Sequence, residues 1–162
     1  MYYNSYNIIS SKNKCSRQTR SLTELFTKKF HAMFKATLKF QSKEFDIRFV
    51  DYEIKRDVDA KGRPASHLYG GIINITIEST EDTTIIENMV SQFKPHEGTV
   101  VYKKGDEESV MKELKWEKGY ITRFEEVADV EGKKPMIINF EVSAQKLTIG
   151  GAVFEQDWPD AK

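Results

Sequence analysis

Side chains able to attack a substrate, ligate a metal or move a proton are few in this 162-residue chain, and their spacing decides what they can do. The histidines are His31, His67 and His96, and the one cysteine is Cys15. None of the four lies within ligand spacing of another, so the sequence assembles no zinc set. Each histidine reads as a solvated loop or helix-end residue. Cys15 has no neighbouring base to draw out a thiolate, and no Gly-x-Ser-x-Gly elbow occurs, so nucleophilic catalysis has no carrier. Asp57-Val58-Asp59-Ala60-Lys61-Gly62 opens like a calcium loop. It fails at the fifth position, where Lys61 replaces an oxygen ligand, and at the twelfth, where Leu68 replaces the bidentate glutamate. Gly70-Gly71 lacks the Lys-Ser/Thr of a phosphate loop. Glu107-Glu108 and Glu125-Glu126 are adjacent pairs that a strand sends to opposite faces, so they do not converge as a glycosidase requires. These patterns expect no catalytic residue, no metal site and no cofactor.

The elements that would carry such residues are mostly strands. Phe34 to Phe40 alternates apolar and polar residues, the period of a half-buried strand. Phe45, Ile47 and Phe49 continue that period, whereas Val50, Tyr52 and Ile54 fall on the other parity, which predicts a bulge or bend. Residues 57–71, with Gly62, Pro64, Ser66, Gly70 and Gly71, read as a long loop, and Ile73, Ile75 and Ile77 as the inward set of the next strand. One helix is predicted over 81–93, capped by Ser79 or Thr80, with Ile85, Ile86, Met89, Val90 and Phe93 as its apolar stripe and Glu81, Asp82, Glu87, Asn88 and Gln92 facing water. Further strands are predicted at 99–103, 110–117, 119–127, 136–143 and 145–149. Trp116 shares the parity of Val110 and Leu114 and reads as core. Trp158, before Pro159, reads as packing the terminus down or as a stacking platform. The fold class is mainly β, a small closed or nearly closed β-barrel with one external helix. Any edge left by closure is a natural site for a partner subunit.

Lys+Arg and Asp+Glu each number 25, and this zero net charge argues against a general nucleic-acid binder. No apolar run approaches the roughly 20 residues of a spanning helix, so membrane insertion is not expected. Six basic residues and one acid fall in residues 1–32, a net +5 that the remaining residues balance with −5. All nine glycines and four prolines lie after residue 32. Residues 1–32 read as a disordered extension with a short helix over 22–31, where Ser21-Leu22-Thr23-Glu24 matches a capping box. The domain is read as 33–162, with Met33 as an alternative start.

Val58-Asp59-Ala60-Lys61-Gly62-Arg63-Pro64-Ala65-Ser66, followed by Gly70-Gly71-Ile72-Ile73-Asn74-Ile75-Thr76-Ile77-Glu78-Ser79-Thr80, resembles the Bacteroidetes form of the type VI secretion tube protein, the Hcp or TssD family. Met33-Phe34-Lys35-Ala36, Met111 to Trp116, Pro135-Met136 and Trp158-Pro159 agree, so the resemblance covers about 33–160 and leaves residues 1–32 without a counterpart. It implies a non-catalytic barrel that forms hexameric rings. The rings stack into a tube within a contractile sheath, and the tube is expelled from the bacterial cytoplasm with a spike protein and effector cargo. It also implies a ring-stacking, subunit-contact loop, here Asp57, Asp59, Lys61, Gly62, Arg63, Pro64, Ser66, Gly70 and Gly71. The residues taken alone leave open a second function, a monomeric barrel binding a small apolar or carbohydrate ligand with Trp116 or Trp158 at its mouth.

Overall fold

A computed structural model describes residues 34–159 except Gln92, residues 106–108 and Lys133. The extension over 1–32, Met33 and Glu107-Glu108 lie outside the described residues. Seven strands form one antiparallel sheet: β1 (Phe34–Phe40), β2 (Lys43–Lys55), β3 (Tyr69–Glu78), β4 (His96–Lys104), β5 (Val110–Val127), β6 (Ile137–Ile149) and β7 (Ala152–Glu155). Their order is β3-β2-β1-β4-β5-β6-β7, and an added β3–β6 pairing joins the sheet to itself. Six strands thereby close into a barrel. β7 pairs with the last residues of β6, Lys146 to Ile149, beyond the stretch of β6 that β3 occupies.

The alternation of the sequence becomes the barrel interior. Leu38, Phe40, Ile73, Ile75, Ile77, Val100, Leu114, Val142 and Leu147 are all buried and fill it with their own side chains. A filled interior is what a six-stranded barrel of large aliphatic residues produces. The parity change in β2 is a register shift between Ile47 and Phe49. It moves Phe49 to the outside and turns Val50, Tyr52 and Ile54 toward the core. β1 and β2 are joined by Gln41-Ser42, both at positive φ (47° and 66°), the handed two-residue turn whose twist matches the strands it connects.

Several expectations are corrected. The segments 110–117 and 119–127 form one 18-residue strand, and 136–143 with 145–149 form one 13-residue strand. Gly119 is not a break: a Cβ there would lie 2.6 Å from Trp116 Cδ1, so the glycine makes room for the indole within a continuous strand. A register shift beside it, with Lys118 at φ 50°, takes up the bend. Gly70 and Gly71 belong to β3 and not to a loop.

The helix, α1 (Thr84–Val90), is shorter than 81–93, and Thr83 precedes it without a side-chain cap. Asp82 takes that role by accepting the Thr84 N–H at 2.8 Å. Asn88, expected in water, is buried; it donates to the Thr84 carbonyl at 2.7 Å and accepts from Gln41 Nε2 at 2.6 Å. Of the predicted stripe only Ile85 is fully buried, and Val90 and Phe93 are each 73% exposed. A seven-residue helix has too little length to lay a full stripe on the barrel, so its first turn and Asn88 hold it to the β1–β2 turn. Lys43 completes the anchor by pairing with Asp82 and donating to Thr84 Oγ1 at 2.7 Å. That ammonium, with the Thr84 donors, holds the Asp82 carboxyl down at about 2.

Candidate functional site

The loop that leaves β2 and re-enters at β3 is ordered by its own polar groups. Asp57 accepts the Tyr69 hydroxyl at 2.7 Å, while its backbone N–H donates to Ser66 Oγ and its carbonyl accepts the Ala65 N–H, both at 2.8 Å. Val58 and Pro64 form an isolated antiparallel bridge. Inside it, Asp59 Oδ1 accepts the N–H groups of Lys61 and Arg63, each at 2.9 Å, and Oδ2 accepts Arg63 Nε at 2.8 Å. The backbone N–H of Arg63 is the largest influence holding the Asp59 carboxyl below the usual carboxylate range. The bond to Asp57 similarly pushes the Tyr69 hydroxyl up. Gly62, at φ +80°, turns the tip where a side chain would be strained.

Asp57, Asp59, Lys61, Gly62, Arg63, Pro64 and Ser66 are thus brought together in one miniature hairpin. Asp59 and Arg63 spend their charges on each other, and Lys61 is left at the tip with no ion pair among the described residues. Gly70 and Gly71 lie apart from this hairpin. A Cβ on Gly70 would sit 2.5 Å from the Glu53 carbonyl oxygen, and one on Gly71 2.7 Å from that of Ala144. They permit backbone contact where β3 crosses from β2 to the β6–β7 junction, and Gln156 Nε2 donates to the Gly70 carbonyl there at 2.6 Å.

Beyond the other end of β2 is a second concentration of unusual residues that the sequence did not reveal. His96 was expected in water but is only 7% exposed. It is the first residue of β4, and its ring meets Phe40 edge-on at 5.0 Å and Trp116 edge-on at 6.2 Å. Trp116 is core, as its parity indicated, and donates Nε1–H to His96 Nδ1 at 3.2 Å. Burial pushes the imidazole down to about 4. The only available signal for this triad was the glycine at 98, since a Cβ there would fall 2.2 Å from the indole. Trp158 packs the terminus down: its ring lies 6.0 Å from that of Tyr120, and Nε1 donates to Gln156 Oε1 at 2.7 Å. Lys112 Nζ sits 5.4 Å from each of the Tyr52 and Tyr102 ring centres and donates to the Tyr52 hydroxyl at 3.2 Å.

None of this is a reaction centre. Among the described residues no three His, Cys, Asp or Glu side chains gather as a metal would need. No described helix is long and apolar enough to cross a membrane. What the geometry offers is a filled barrel with a charged projection, an outer edge on β7 that pairs with nothing among the described residues, and exposed apolar groups beside α1.

Comparisons with known proteins agree with that character. The family model of the hemolysin coregulated protein Hcp (TssD) matches residues 32–159. Hcp1 from Flavobacterium johnsoniae is 32% identical with a TM-score of 0.72, covering 75% of this chain and 99% of that one. Hcp1 from Salmonella typhimurium, 8% identical, shares the fold at a TM-score of 0.59 over 76% of this chain and 92% of its own. A chain of the sheath–tube complex of the extracellular contractile injection system PVC, 9% identical, does so at 0.51 over 82% and 99%. No curated protein sequence matches.

Proposed function

This chain belongs to the Hcp (TssD) family, the structural tube proteins of type VI secretion, and from that premise we propose how its barrels assemble and what they meet. The protein is a tube subunit and not an enzyme. Its barrels close into hexameric rings, and the rings stack within a contractile sheath in the bacterial cytoplasm. Contraction then carries the tube, a spike protein and effector cargo out of the cell. Heterologous contacts of this kind close into a ring when the rotation per subunit divides a full turn.

The observation that carries the reading is the family match over residues 32–159, which takes in the entire barrel. The loop from Asp57 to Ser66 is assigned to ring stacking: it is internally hydrogen-bonded, charged and largely exposed, and it connects β2 to β3. Gly70 and Gly71 set the base from which it projects. The free edge of β7 is available to a neighbour within the ring. The tube domain is taken to start near Met33.

Native mass spectrometry of the purified protein tests the reading, with electron microscopy of the same sample. Six-subunit species and annular particles are expected. A protein that stays monomeric at high concentration, with no rings in the micrographs, overturns it.

A further inference from the structure

The helix α1 is lightly fastened, and its fastenings meet at His96. Of its apolar residues only Ile85 is fully buried, with Met89 partly buried against the core. The remaining hold is polar and comes from the β1–β2 turn and the start of β2. Gln41 Nε2 donates to Asn88 Oδ1 at 2.6 Å, while Lys43 pairs with Asp82 and donates to Thr84 Oγ1 at 2.7 Å. At its other end, residues 91–95 tie α1 to His96, the first residue of β4. Gln41 directly follows Phe40, whose ring meets the imidazole at 5.0 Å. Gln41, Ser42 and Pro95 form, with His96, part of the wall of a cleft of about 640 Å3.

The imidazole has no place for a second proton. Trp116 donates Nε1–H to Nδ1 at 3.2 Å, so the neutral ring carries its proton on Nε2. That Nε2 is buried and has no hydrogen-bond partner among the described residues. A proton added to Nδ1 sets two donors against each other and leaves a buried cation with no acceptor. The charged groups around the ring do not relieve it. Lys39 of β1 and Lys115 and Glu117 of β5 stand at the cleft rim, paired with Glu44, Glu113 and Lys146. Glu97 of β4 and Lys118 of β5, also at the rim, are of opposite sign. Asp82 and Glu87 are taken by Lys43 and Thr83. Phe40 and Trp116 close the barrel side of the ring, so an imidazolium reaches water through the cleft, past the turn that carries α1.

We propose that His96 is an acid-released clasp for α1: its second proton frees the β1–β2 turn and the helix that the turn carries, while the β3–β6 side of the barrel stays paired. The open form takes up that proton at the ordinary 6.5 and the closed form only at about 4. Acid therefore drives opening between those values and adds nothing further below them. The clasp rests on the geometry of this chain alone. On the tube reading, a subunit clasped in a near-neutral cytoplasm loosens at this end once carried to an acidic exterior.

Amide hydrogen exchange of the full chain, read by mass spectrometry at pH 7.5 and 5.0 and in urea below the unfolding range, tests it. Rates are corrected for the intrinsic pH dependence of exchange. The opening constant over Glu87 to Ser91, where the helical N–H groups are bonded, should rise about tenfold or more from pH 7.5 to 5.0. It should barely respond to urea, whereas Ile73–Ile77 and Ile138–Val142 exchange through a urea-sensitive opening. His96→Phe should abolish the pH dependence. Gln41→Ala should raise α1 opening at pH 7.5 and remove most of its pH dependence, while that of Ile73–Ile77 persists. The clasp is overturned by α1 amides that open regardless of pH, or only together with Ile73–Ile77, or by a pH dependence that survives His96→Phe. None of these results bears on the tube reading, which the oligomer measurement tests separately.

Discussion

Acid should weaken this fold through one residue, His96, within a window that carboxylates do not share. Its ring is held between Phe40 and Trp116, and burial lowers it from an ordinary 6.5 to about 4. The unfolded chain therefore takes up the proton first. The stabilisation is complete above pH 6.5 and is lost as pH falls from there toward 4, below which this residue adds no further loss. A shift of that size corresponds to at most about 3 kcal/mol, and to about 2 kcal/mol once solvent at the cleft side of the ring is allowed for. The charged groups around the cleft, Lys39, Glu97, Lys115, Glu117 and Lys118, stand at its solvent rim. Asp82, held at about 2, loses its contribution only as pH falls from about 3.8, so it lies outside the window. Urea unfolding followed by circular dichroism at pH 7.5, 6.0, 5.0 and 4.5, at one protein concentration, measures the loss. His96→Phe keeps an aromatic ring beside Phe40 but strands the Trp116 N–H, so it starts about 1–3 kcal/mol less stable at pH 7.5. It should then hold that stability nearly constant to pH 4.5. Parallel pH profiles for the two proteins, or a wild type indifferent to pH across the window, would refute the reasoning.

Further outcomes are expected. Gly98→Ala puts a Cβ 2.2 Å from the Trp116 ring, so the indole must move, at a cost of about 1–3 kcal/mol in urea midpoint terms; an unchanged midpoint would show that the niche is loose. Gly62→Ala meets no atom within 4 Å and pays only for its φ of +80°, so barrel stability should fall by about 1 kcal/mol or less. Asp59→Ala frees Arg63 and leaves two loop N–H groups without their acceptor. Tubes should shorten in micrographs while the thermal midpoint of the barrel stays within a few degrees, and full-length tubes would argue against the loop's role. Intact mass of the protein from its native source should begin at Met33, and a mass that includes Met1–Ala32 defeats that start.

What the sequence determined by itself is what local alternation and composition can encode. The period-2 runs at Phe34–Phe40 and Ile73–Ile77 specify an inward face wherever the strands go. The parity switch between Ile47 and Val50 could be accommodated only by a bulge, so the bend in β2 was legible before any fold. The wide spacing of Cys15, His31, His67 and His96 was likewise legible in the chain alone, and the segment from Val58 to Thr80 carried the family resemblance. Tertiary structure decided the rest, because it depends on partners distant in the chain. Gly119 resembles a turn signal until Trp116 is seen resting against it. Asn88 belongs on a wet helix face until Gln41, 47 residues away, supplies its partner. His96 looks solvated in sequence, yet pairing of β4 with β1 and β5 sets it between Phe40 and Trp116 and leaves one ring nitrogen unpaired. Gly70 and Gly71 look like loop glycines until β2 and β6 pass close enough to exclude a side chain. Burial and close approach are properties of pairs of segments, and a single segment read by its period holds only half of each.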